Sequence, residues 1–437
     1  MEYSLISKEL TKKISKLEKK NNGIYFTPPS CVNNNIQLLQ PYLKDVVNVL
    51  EPSCGSGEYI TALHNSFPQF KITGIEYNET IYTSILQLKS DNVDIYHLDY
   101  LKYTTDKKYD LVIGNPPYFV LKKDAVDKEY HTYFEGRPNI FILFIIKSAQ
   151  LLTDNGILSF VLPKNFLNCL YYDKTRKYIN KHFQILHIVD CKADKYMETQ
   201  QETVILILRK NLPVAVKIKK KHTKQKKYRL ILDEEVPEKD RPQLDEEVPE
   251  KDRPNTAFIL EIKSYTIFAD TTNILKFTEL YKNSKSLHEL GFKVSVGNVV
   301  WNQCKEILTD DKTKTRLIYS SDIVDNELIL KIYNNEEKKH FINKKGITRP
   351  MIVINRGYGV GEYKFNYCLI EDDHEYLIEN HLICIEYNGE LPRSELIQAY
   401  KKILSSLTDE RTIDFINVYF GNNAINTTEL NHILPIY

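Results

Sequence analysis

The stretch that decides the fold is Tyr109–Tyr118, with the sequence YDLVIGNPPY. Its first six residues are a mostly apolar run that predicts a short buried strand. Pro116 and Pro117 have a fixed φ and no N–H, so they end the strand, and Pro116 also moves Asn115 out of the α region. One amide side chain, one carbonyl and one aromatic face therefore meet at the carboxyl end of a strand, where open α/β sheets bind ligands.

A glycine turn precedes this strand in the chain. Residues 46–50 predict the first strand of a doubly wound sheet, EPSCGSG follows at 51–57, and residues 58–66 predict a helix. Strand, glycine turn and helix in this order are typical of a nucleoside-binding loop, because glycine lets the backbone approach the ligand. Ile60 stands where the dinucleotide fingerprint has its third glycine, which argues against NAD and FAD.

The next two predicted strands also end in polar side chains. Residues 70–75 form the second strand and lead into Glu76, about twenty residues beyond the glycine turn, the spacing at which a carboxylate meets ribose hydroxyls. The third strand, 93–98, ends in Asp99 and Tyr100, an acid and an aromatic ring that suit the edge and face of an adenine. Taken alone, an acid at the end of one strand is explained by an ordinary exposed surface position as well as by a ligand site. Four successive strands with polar ends favour a ligand site.

The rest of the first domain predicts further strands, helices and one aromatic loop residue. Four apolar residues in the first 22 indicate a basic amphipathic helix lying on the domain, and Tyr196 lies in the connection between the last two strands. The remaining predicted elements are a helix at 32–43, a helix at 139–152, a strand at 157–163, a helix at 172–183 and strands at 185–189 and 203–208. The four N-terminal apolar residues are Ile6, Leu10, Ile14 and Leu17.

The order of three motifs carries a resemblance to a known family. Thr-Pro-Pro occurs at 27–29, Glu-Pro-x-x-Gly-x-Gly at 51–57 and Asn-Pro-Pro-Tyr at 115–118, and a long C-terminal region follows. Over residues 23–209 the chain resembles the gamma class of DNA adenine-N6 methyltransferases of type II restriction–modification systems. The resemblance implies an α/β fold, with a doubly wound S-adenosylmethionine-dependent methyltransferase sheet and a second, α+β DNA-recognition domain. It also implies S-adenosyl-L-methionine as cofactor, double-stranded DNA as partner and a cognate restriction endonuclease as a separate chain.

The resemblance assigns roles to individual residues. The catalytic motif is Asn115, Pro116, Pro117 and Tyr118, in which the Asn115 side-chain oxygen and the Pro116 carbonyl would bind the two hydrogens of a target amino group. Tyr118 and Tyr196 would hold the target base, and Tyr196 stands where Phe is commoner, which keeps a stacking face. The residues implied around the cofactor are Thr27, Glu51, Cys54, Gly55, Gly57, Glu76, Asp99, Tyr100 and Phe144.

Length and composition limit the class of protein. A chain of 437 residues with 42% hydrophobic residues predicts about two or three domains with sizeable cores. No apolar run approaches about 18 residues and the N-terminus lacks a signal-peptide core, so we expect no membrane span. The seven cysteines are scattered without a Cys-x-x-Cys pair, and no metal-ligand spacing occurs. These features predict a reduced, cytoplasmic protein without a structural metal.

The predicted domains are a catalytic domain at 1–213, a charged linker or loop at 214–255 and a target-recognition domain at 256–437. Within the linker, residues 217–229 hold eight Lys and Arg, which could contact phosphates or form a solvated face. Residues 232–255 are two near-identical copies of a 12-residue segment with ten acids and four bases, a composition that cannot bury a core.

Two segments of the second domain combine amide and aromatic groups, and the second adds a guanidinium group. They are Trp301–Gln303 and Asn355–Gly359. Amide and guanidinium groups pair with base edges, although ordinary turns explain either segment equally well.

Two other function classes share part of this pattern. Protein-glutamine and ribosomal-RNA guanine methyltransferases also carry Asn-Pro-Pro-Tyr, but they usually lack the Thr-Pro-Pro segment and a second domain of about 180 residues. A non-catalytic DNA-specificity module with a decayed first domain is the third interpretation. The intact acids Glu51, Glu76 and Asp99 argue against decay.

Overall fold

The computed structural model describes residues 2–191, 196–199, 201–211, 257–262, 265–355, 366–371, 373–419 and 426–437. The chain divides into two compact units, Met1–Ile274 and Leu275–Tyr437. The predicted linker at 214–255, with its basic run and tandem repeat, lies outside the described residues.

Among the described residues of the first unit, seven strands form one sheet. They are β1 (Asn48–Glu51), β2 (Lys71–Glu76), β3 (Val93–His97), β4 (Tyr109–Gly114), β5 (Leu152–Pro163), β6 (Phe183–Asp190) and β7 (Thr203–Lys210). Their order is β3-β2-β1-β4-β5-β7-β6, in which β7 is antiparallel to both of its neighbours and the other pairs are parallel. The strand order reverses between β1 and β4, so this edge of the sheet is a topological switch point. The predicted doubly wound α/β sheet is confirmed.

Helices cover both faces of this sheet. They are α1 (Leu5–Lys13), α2 (Lys16–Asn22), α3 (Pro29–Leu39), α4 (Glu58–Ser66), α5 (Glu79–Ile85), α6 (Ile140–Leu151) and α7 (Asp173–His182). Along β4, Leu111 and Ile113 pack in the core that includes α3 and α4, whereas Val112 packs in the core that includes α6 and α7. Both sides of the strand are therefore apolar, which is why its sequence is a nearly continuous hydrophobic run rather than an alternating one.

The N-terminal segment forms two helices rather than the single amphipathic helix predicted from sequence. Ile14 has an extended backbone and ends α1, and Ser15 caps α2 by accepting a hydrogen bond from the Glu18 N–H. Leu10 and Ile14 are buried as expected, but Leu17 is 69% exposed. The prediction was wrong at Leu17 because the chain changes direction at Ile14 and starts a new helix with a different buried face.

A hairpin after the linker belongs to the first unit. Its strands are β8 (Ile259–Ile262) and β9 (Tyr265–Phe268). The buried Arg176 guanidinium of α7 donates to the Thr266 carbonyl at 2.5 Å, and the Thr266 N–H donates to Asp173 at 2.7 Å. The division between units therefore follows Ile274 instead of residue 255, because these buried polar contacts hold the hairpin to α7.

The second unit combines sheets and helices, as expected for an α+β domain. Among its described residues, one four-stranded sheet has the order β10-β19-β16-β17, another has β11-β15-β12-β18, and β13 pairs with β14. The strands are β10 (Phe292–Val296), β11 (Leu308–Thr309), β12 (Thr315–Ile318), β13 (Ile323–Val324), β14 (Glu327–Leu328), β15 (Phe341–Ile342), β16 (Met351–Asn355), β17 (Tyr367–Ile370), β18 (Tyr376–Ile378) and β19 (Leu382–Tyr387). The helices are α8 (Thr271–Leu280), which crosses from the first unit, α9 (Arg393–Leu407), α10 (Glu410–Tyr419) and α11 (Thr427–His432). Trp301–Gln303 forms a short 3-10 turn, and residues 356–359 of the second amide-aromatic segment lie outside the described residues.

Candidate active site

A cavity of about 520 Å³ lies at the carboxyl ends of the central strands of the first unit. Its size falls within the usual range for small-molecule sites. Ten of the residues singled out from sequence line it: Thr27, Glu51, Cys54, Gly55, Glu76, Asp99, Tyr100, Asn115, Pro117 and Phe144. Four others, Gly57, Pro116, Tyr118 and Tyr196, are not part of its lining.

The glycine turn forms one wall of this cavity. Gly55 and Gly57 both have positive φ, at 53° and 77°, a region that disfavours other residues. Gly57 does not touch the cavity, because its role is to start α4, and a Cβ there would lie 2.2 Å from a methyl group of Leu88. The turn thus brings the Gly55 backbone to the cavity while Gly57 sets the direction of the following helix.

Glu76 is held in place by backbone donors. Its carboxylate accepts hydrogen bonds from the Gly55 N–H at 2.9 Å and from the Asn78 N–H at 2.7 Å, one on each oxygen. Burial raises the pKa of Glu76 to about 7, and these backbone donors act in the opposite direction. Because each carboxylate oxygen has two acceptor positions, both oxygens can still accept from a ligand hydroxyl.

Glu51 at the end of β1 is a buried acid with an unsatisfied oxygen. The residue is 2% exposed, and its Oε2 has no hydrogen-bond partner. Burial raises the pKa of Glu51 well above its ordinary value, and the Glu76 carboxylate adds to the effect. An orphaned carboxylate oxygen on a cavity wall is suited to a cationic or hydrogen-bond-donating ligand group.

The end of β3 leads into one acid and one aromatic ring, and α6 supplies a second ring. Asp99 accepts from the Leu101 N–H at 3.0 Å, so its carboxylate is fixed next to the cavity. The buried Tyr100 ring lies 4.8 Å from the Phe144 ring, and the Tyr100 hydroxyl is bonded to Ser148. These contacts restrict the movement of the two rings, which line one wall of the cavity.

The orientation of the Asn115 amide is fixed by the N-terminal segment. Its Nδ2 donates to the Thr27 hydroxyl at 3.1 Å and to the Tyr25 carbonyl at 3.3 Å. The backbone carbonyl of Asn115 accepts from the Ser53 hydroxyl at 3.1 Å. With both Nδ2 hydrogens used in this way, Oδ1 is the only side-chain atom that can act on another group, and it acts as an acceptor.

Tyr118 is folded back onto this amide. Its hydroxyl lies 2.5 Å from the Asn115 Oδ1 and 2.8 Å from the Val161 carbonyl, and its ring meets Phe141 edge to face at 6.0 Å between centroids. Burial raises the pKa of Tyr118 well above its ordinary value. The Asn115 oxygen that sequence reasoning left free therefore already has one donor. A carboxamide oxygen has a second lone pair, so one acceptor position remains.

Tyr196 also points its hydroxyl inward. The hydroxyl is buried and has no partner at hydrogen-bond geometry, although Thr203 lies close enough to lower its pKa. Burial is the larger effect and raises the pKa of Tyr196 well above its ordinary value. The Tyr118 and Tyr196 hydroxyls lie near enough for a charge on one to raise the pKa of the other.

Sequence reasoning missed several aromatic and polar residues of the cavity. Phe26 packs on the glycine turn, 3.6 Å from the position of a Cβ at Gly55, and Tyr77 lines the cavity although it is 69% exposed. Each of these rings is the chain neighbour of a residue that was predicted, Thr27 and Glu76. An aromatic residue directly beside a motif position was the signal available in the sequence.

Within the ranges that the structure describes, no three His, Cys, Asp or Glu side chains are grouped to hold a metal ion. None of the described helices is both long and apolar enough to cross a membrane.

Comparison with known proteins yields a family match and, among the relatives, two that align over nearly the whole of both chains. The family model described as the Eco57I restriction-modification methylase matches residues 8–196. The type II methyltransferase M.CvrRI of Paramecium bursaria Chlorella virus XZ-6E is 27% identical over 99% of this chain and 98% of its own length. The modification methylase CviBIII of Paramecium bursaria Chlorella virus NC1A is 24% identical over 100% and 99%. The solved DrdV–DNA complex shows 13% identity over 95% of this chain and 55% of that chain, with a TM-score of 0.45.

The family match and the two viral relatives support a methyltransferase of restriction–modification systems. The family match spans the glycine turn, the acids at the strand ends and the Asn-Pro-Pro-Tyr segment, which are the parts that surround the cavity. Together with the doubly wound α/β sheet and the cavity at its strand ends, the methylase match supports S-adenosyl-L-methionine as the cofactor.

Proposed function

We propose that this protein transfers a methyl group from S-adenosyl-L-methionine to N6 of an adenine within a short sequence of double-stranded DNA. The modification protects that sequence from a restriction endonuclease carried on a separate chain. The observation that carries transfer to an exocyclic amino group is the fixed Asn115 amide at the cavity wall, because such a group needs hydrogen-bond acceptors. The choice of adenine over cytosine rests on the resemblance to the adenine-N6 methyltransferases.

Cofactor binding is assigned to the acids of the first three strand ends. Glu76 and Asp99 offer carboxylate oxygens for ribose hydroxyls and for the edge of the cofactor's adenine, and Tyr100 and Phe144 supply the apolar wall beside it. We assign the orphaned Glu51 Oε2 to the ammonium group of the methionine moiety, from which it would accept a hydrogen bond. S-adenosyl-L-methionine supplies a methyl group on a sulfonium, which is already a strong electrophile.

The protein's chemical contribution is to prepare the nucleophile. The nitrogen of adenine N6 is conjugated with its ring, so its lone pair is poorly available. Acceptance of its two hydrogens by the Asn115 Oδ1 and the Pro116 carbonyl moves the nitrogen toward tetrahedral geometry and frees the lone pair. Holding this nitrogen in line with the methyl group supplies much of the remaining rate acceleration.

The target adenine must leave the duplex to reach this position. Enzymes that work on bases extrude them at a cost of a few kcal/mol, and stacking on an aromatic ring returns about 1–3 kcal/mol per base. Tyr118 and Tyr196 are the two rings we assign to this stacking. Since the Tyr118 hydroxyl occupies one acceptor position of Asn115, base entry either shares that oxygen or displaces the hydroxyl.

Sequence recognition is assigned to the second unit, Leu275–Tyr437. The groups that line the cavity all belong to the first unit and are assigned to cofactor and target base. Base edges in the grooves are read by side chains other than those that contact phosphates or perform chemistry. The second unit is the part of the chain left for that reading.

One experiment separates this function from its alternatives. DNA from cells that express the protein should contain N6-methyladenine within one short sequence, detected by single-base methylation mapping and by mass spectrometry of nucleosides. Cells expressing the Asn115→Ala variant should lack it. N4-methylcytosine in its place would overturn the adenine assignment, and methylation of RNA or protein glutamine alone would favour the other substrate classes. Sequence-specific DNA binding without methylated product would favour a specificity module.

A further inference from the structure

Helix α2 contacts both segments that carry the proposed base-stacking tyrosines. We infer that α2 is a positioning element for the target base and that Lys19 acts through Glu198 to hold Tyr196. This inference rests on the proposed function and deepens it, because it assigns a role to residues outside the cavity.

The first contact is an ion pair between a buried lysine and a partly exposed glutamate. Lys19 is 4% exposed, and its Nζ lies 2.6 and 2.8 Å from the two Glu198 oxygens and 2.7 Å from the Thr11 carbonyl. An ammonium group has three hydrogens, so these three acceptors account for all of them. Glu198 is two residues from Tyr196 in the described stretch 196–199. The ion pair therefore joins α2 to the backbone next to the second stacking ring.

The second contact is at the other end of the same helix. Gly23 ends α2 with a φ of 63°, and a Cβ at this position would lie 2.6 Å from the Tyr118 backbone nitrogen. Only a residue without a side chain allows this approach. Lys19 and Gly23 are four residues apart, so about one helical turn separates the contact with Glu198 from the contact with Tyr118.

Two weaker contacts point to the same arrangement. The Thr11 hydroxyl of α1 lies 3.9 Å from the Met197 sulfur, and the Asn78 amide donates to Glu18 of α2 at 2.9 Å. Asn78 also donates its N–H to Glu76, the acid assigned to the ribose. The helix is thus connected to the cofactor side as well as to both tyrosine segments.

Stability alone is a weak reason for such a pair. Burying the Lys19 ammonium group costs desolvation energy that its attraction to the partly exposed Glu198 carboxylate often does no more than offset. What a buried ammonium group with three directed hydrogen bonds adds is a defined geometry. Here the geometry that it defines is that of the segment carrying Tyr196.

The test compares Lys19→Met alone and combined with Tyr196→Ala. The probe is duplex DNA with 2-aminopurine at the adenine mapped as the target, because its fluorescence rises when the base leaves the stack. Lys19→Met should reduce that fluorescence change and weaken binding of this DNA by tenfold or more. It should leave S-adenosyl-L-methionine affinity, measured by calorimetry, within about twofold. Lys8→Met is the matched control. Lys8 lies on the neighbouring helix α1 and forms an exposed pair with Glu2, so this variant should match wild type.

The combined variants distinguish positioning from general destabilisation. If Lys19 acts through Tyr196, then Lys19→Met should cause no further loss of fluorescence change in a Tyr196→Ala background. Glu198→Gln alone should reproduce the effect of Lys19→Met alone. An equal loss in both backgrounds, or a lowered melting temperature with a normal fluorescence change, overturns the inference. Absence of any fluorescence change with the wild-type protein would instead contradict base extrusion itself, and with it the proposed function.

Discussion

The residues assigned to the cofactor (Glu51, Glu76 and Asp99, the cofactor side) and those assigned to the target base (Asn115, Tyr118 and Tyr196, the base side) differ in what occupies the space beside them. On the cofactor side, Glu76 and Asp99 are fixed by backbone N–H groups around an open cavity, and Glu51 keeps an oxygen without a partner. On the base side, the protein's own side chains fill the space, with the Tyr118 hydroxyl on Asn115 and the Tyr196 hydroxyl buried. Under the proposed assignments, we therefore expect the cofactor to bind without rearrangement and the target base to displace or share contacts that already exist.

The largest loss of turnover is expected from removing the Asn115 side-chain oxygen, which lies where the cofactor side and the base side meet. Asn115→Ala removes the acceptor assigned to the target amino group, while the acids of the cofactor side remain. Turnover should fall by roughly 10²–10³-fold or more, the scale seen when one oriented hydrogen-bonding group is removed from a transition state. Cofactor affinity measured by calorimetry should stay close to wild type.

A matched variant makes this result interpretable. Asn115→Asp keeps an acceptor oxygen but loses the Nδ2 donor to Thr27 and Tyr25. It should therefore retain more turnover than the alanine variant. Turnover within a few-fold of wild type in Asn115→Ala would remove the residue from the proposed chemistry.

Substitution of Glu76 tests the prediction that the cofactor side binds its ligand without rearrangement. Losing a charged hydrogen bond costs about 1.5–3 kcal/mol, so Glu76→Ala should weaken cofactor binding by about 10- to 150-fold. An unchanged dissociation constant in a folded variant would contradict the assignment.

The pH dependence of binding gives a second measurement on the same residue. Because the pKa of Glu76 is raised to about 7, the ionised form that accepts from ribose becomes populated as pH rises through 7. Cofactor affinity of the wild-type protein should increase from pH 6 to pH 8, and Glu76→Gln should remove this increase. The contribution to folding stability has the opposite sign: since the folded-state pKa lies above the unfolded value, stability from this group is present at low pH and is lost as pH rises through 7.

The sequence predicted which strand-end residues line the cavity better than it predicted the contacts of Tyr118 and Tyr196, and the reason is physical. Glu76 and Asp99 lie directly at strand ends, so sheet topology alone brings them to one cavity. The contacts of Tyr118 depend on its rotamer, and those of Tyr196 on a long loop, neither of which periodicity reveals. The pair between Lys19 and Glu198 joins positions 179 residues apart and has no local pattern. The division after Ile274 was missed because the β8–β9 hairpin is held by a buried arginine of α7 rather than by its own composition.

Tyr118→Phe tests whether the Tyr118 hydroxyl, which donates to the Asn115 Oδ1, only stabilises the folded protein or also takes part in catalysis. The variant keeps the ring for stacking but removes the donor to Asn115 and Val161. The free energy of unfolding, measured by urea denaturation, should fall by about 1 kcal/mol, as for a typical lost hydrogen bond. Turnover should stay within several-fold of wild type. A loss of turnover as large as that of Asn115→Ala would show that the hydroxyl itself takes part in catalysis.

The smallest effect should come from Tyr196→Phe, and it separates the ring from its hydroxyl. Stacking on a base needs the aromatic face, which phenylalanine keeps, so turnover and the 2-aminopurine fluorescence change should match wild type. The Tyr196 hydroxyl is buried without a partner at bonding geometry, and an unpaired buried hydroxyl costs roughly 1–3 kcal/mol. Removing it should therefore leave stability unchanged or raise it by about 1 kcal/mol in urea denaturation. Tyr196→Ala, which removes the ring, should instead weaken binding of DNA with 2-aminopurine at the target and reduce its fluorescence change. If the phenylalanine variant lost as much signal as the alanine variant, the hydroxyl would be the functional group, and the stacking face on this side of the base would belong to another residue.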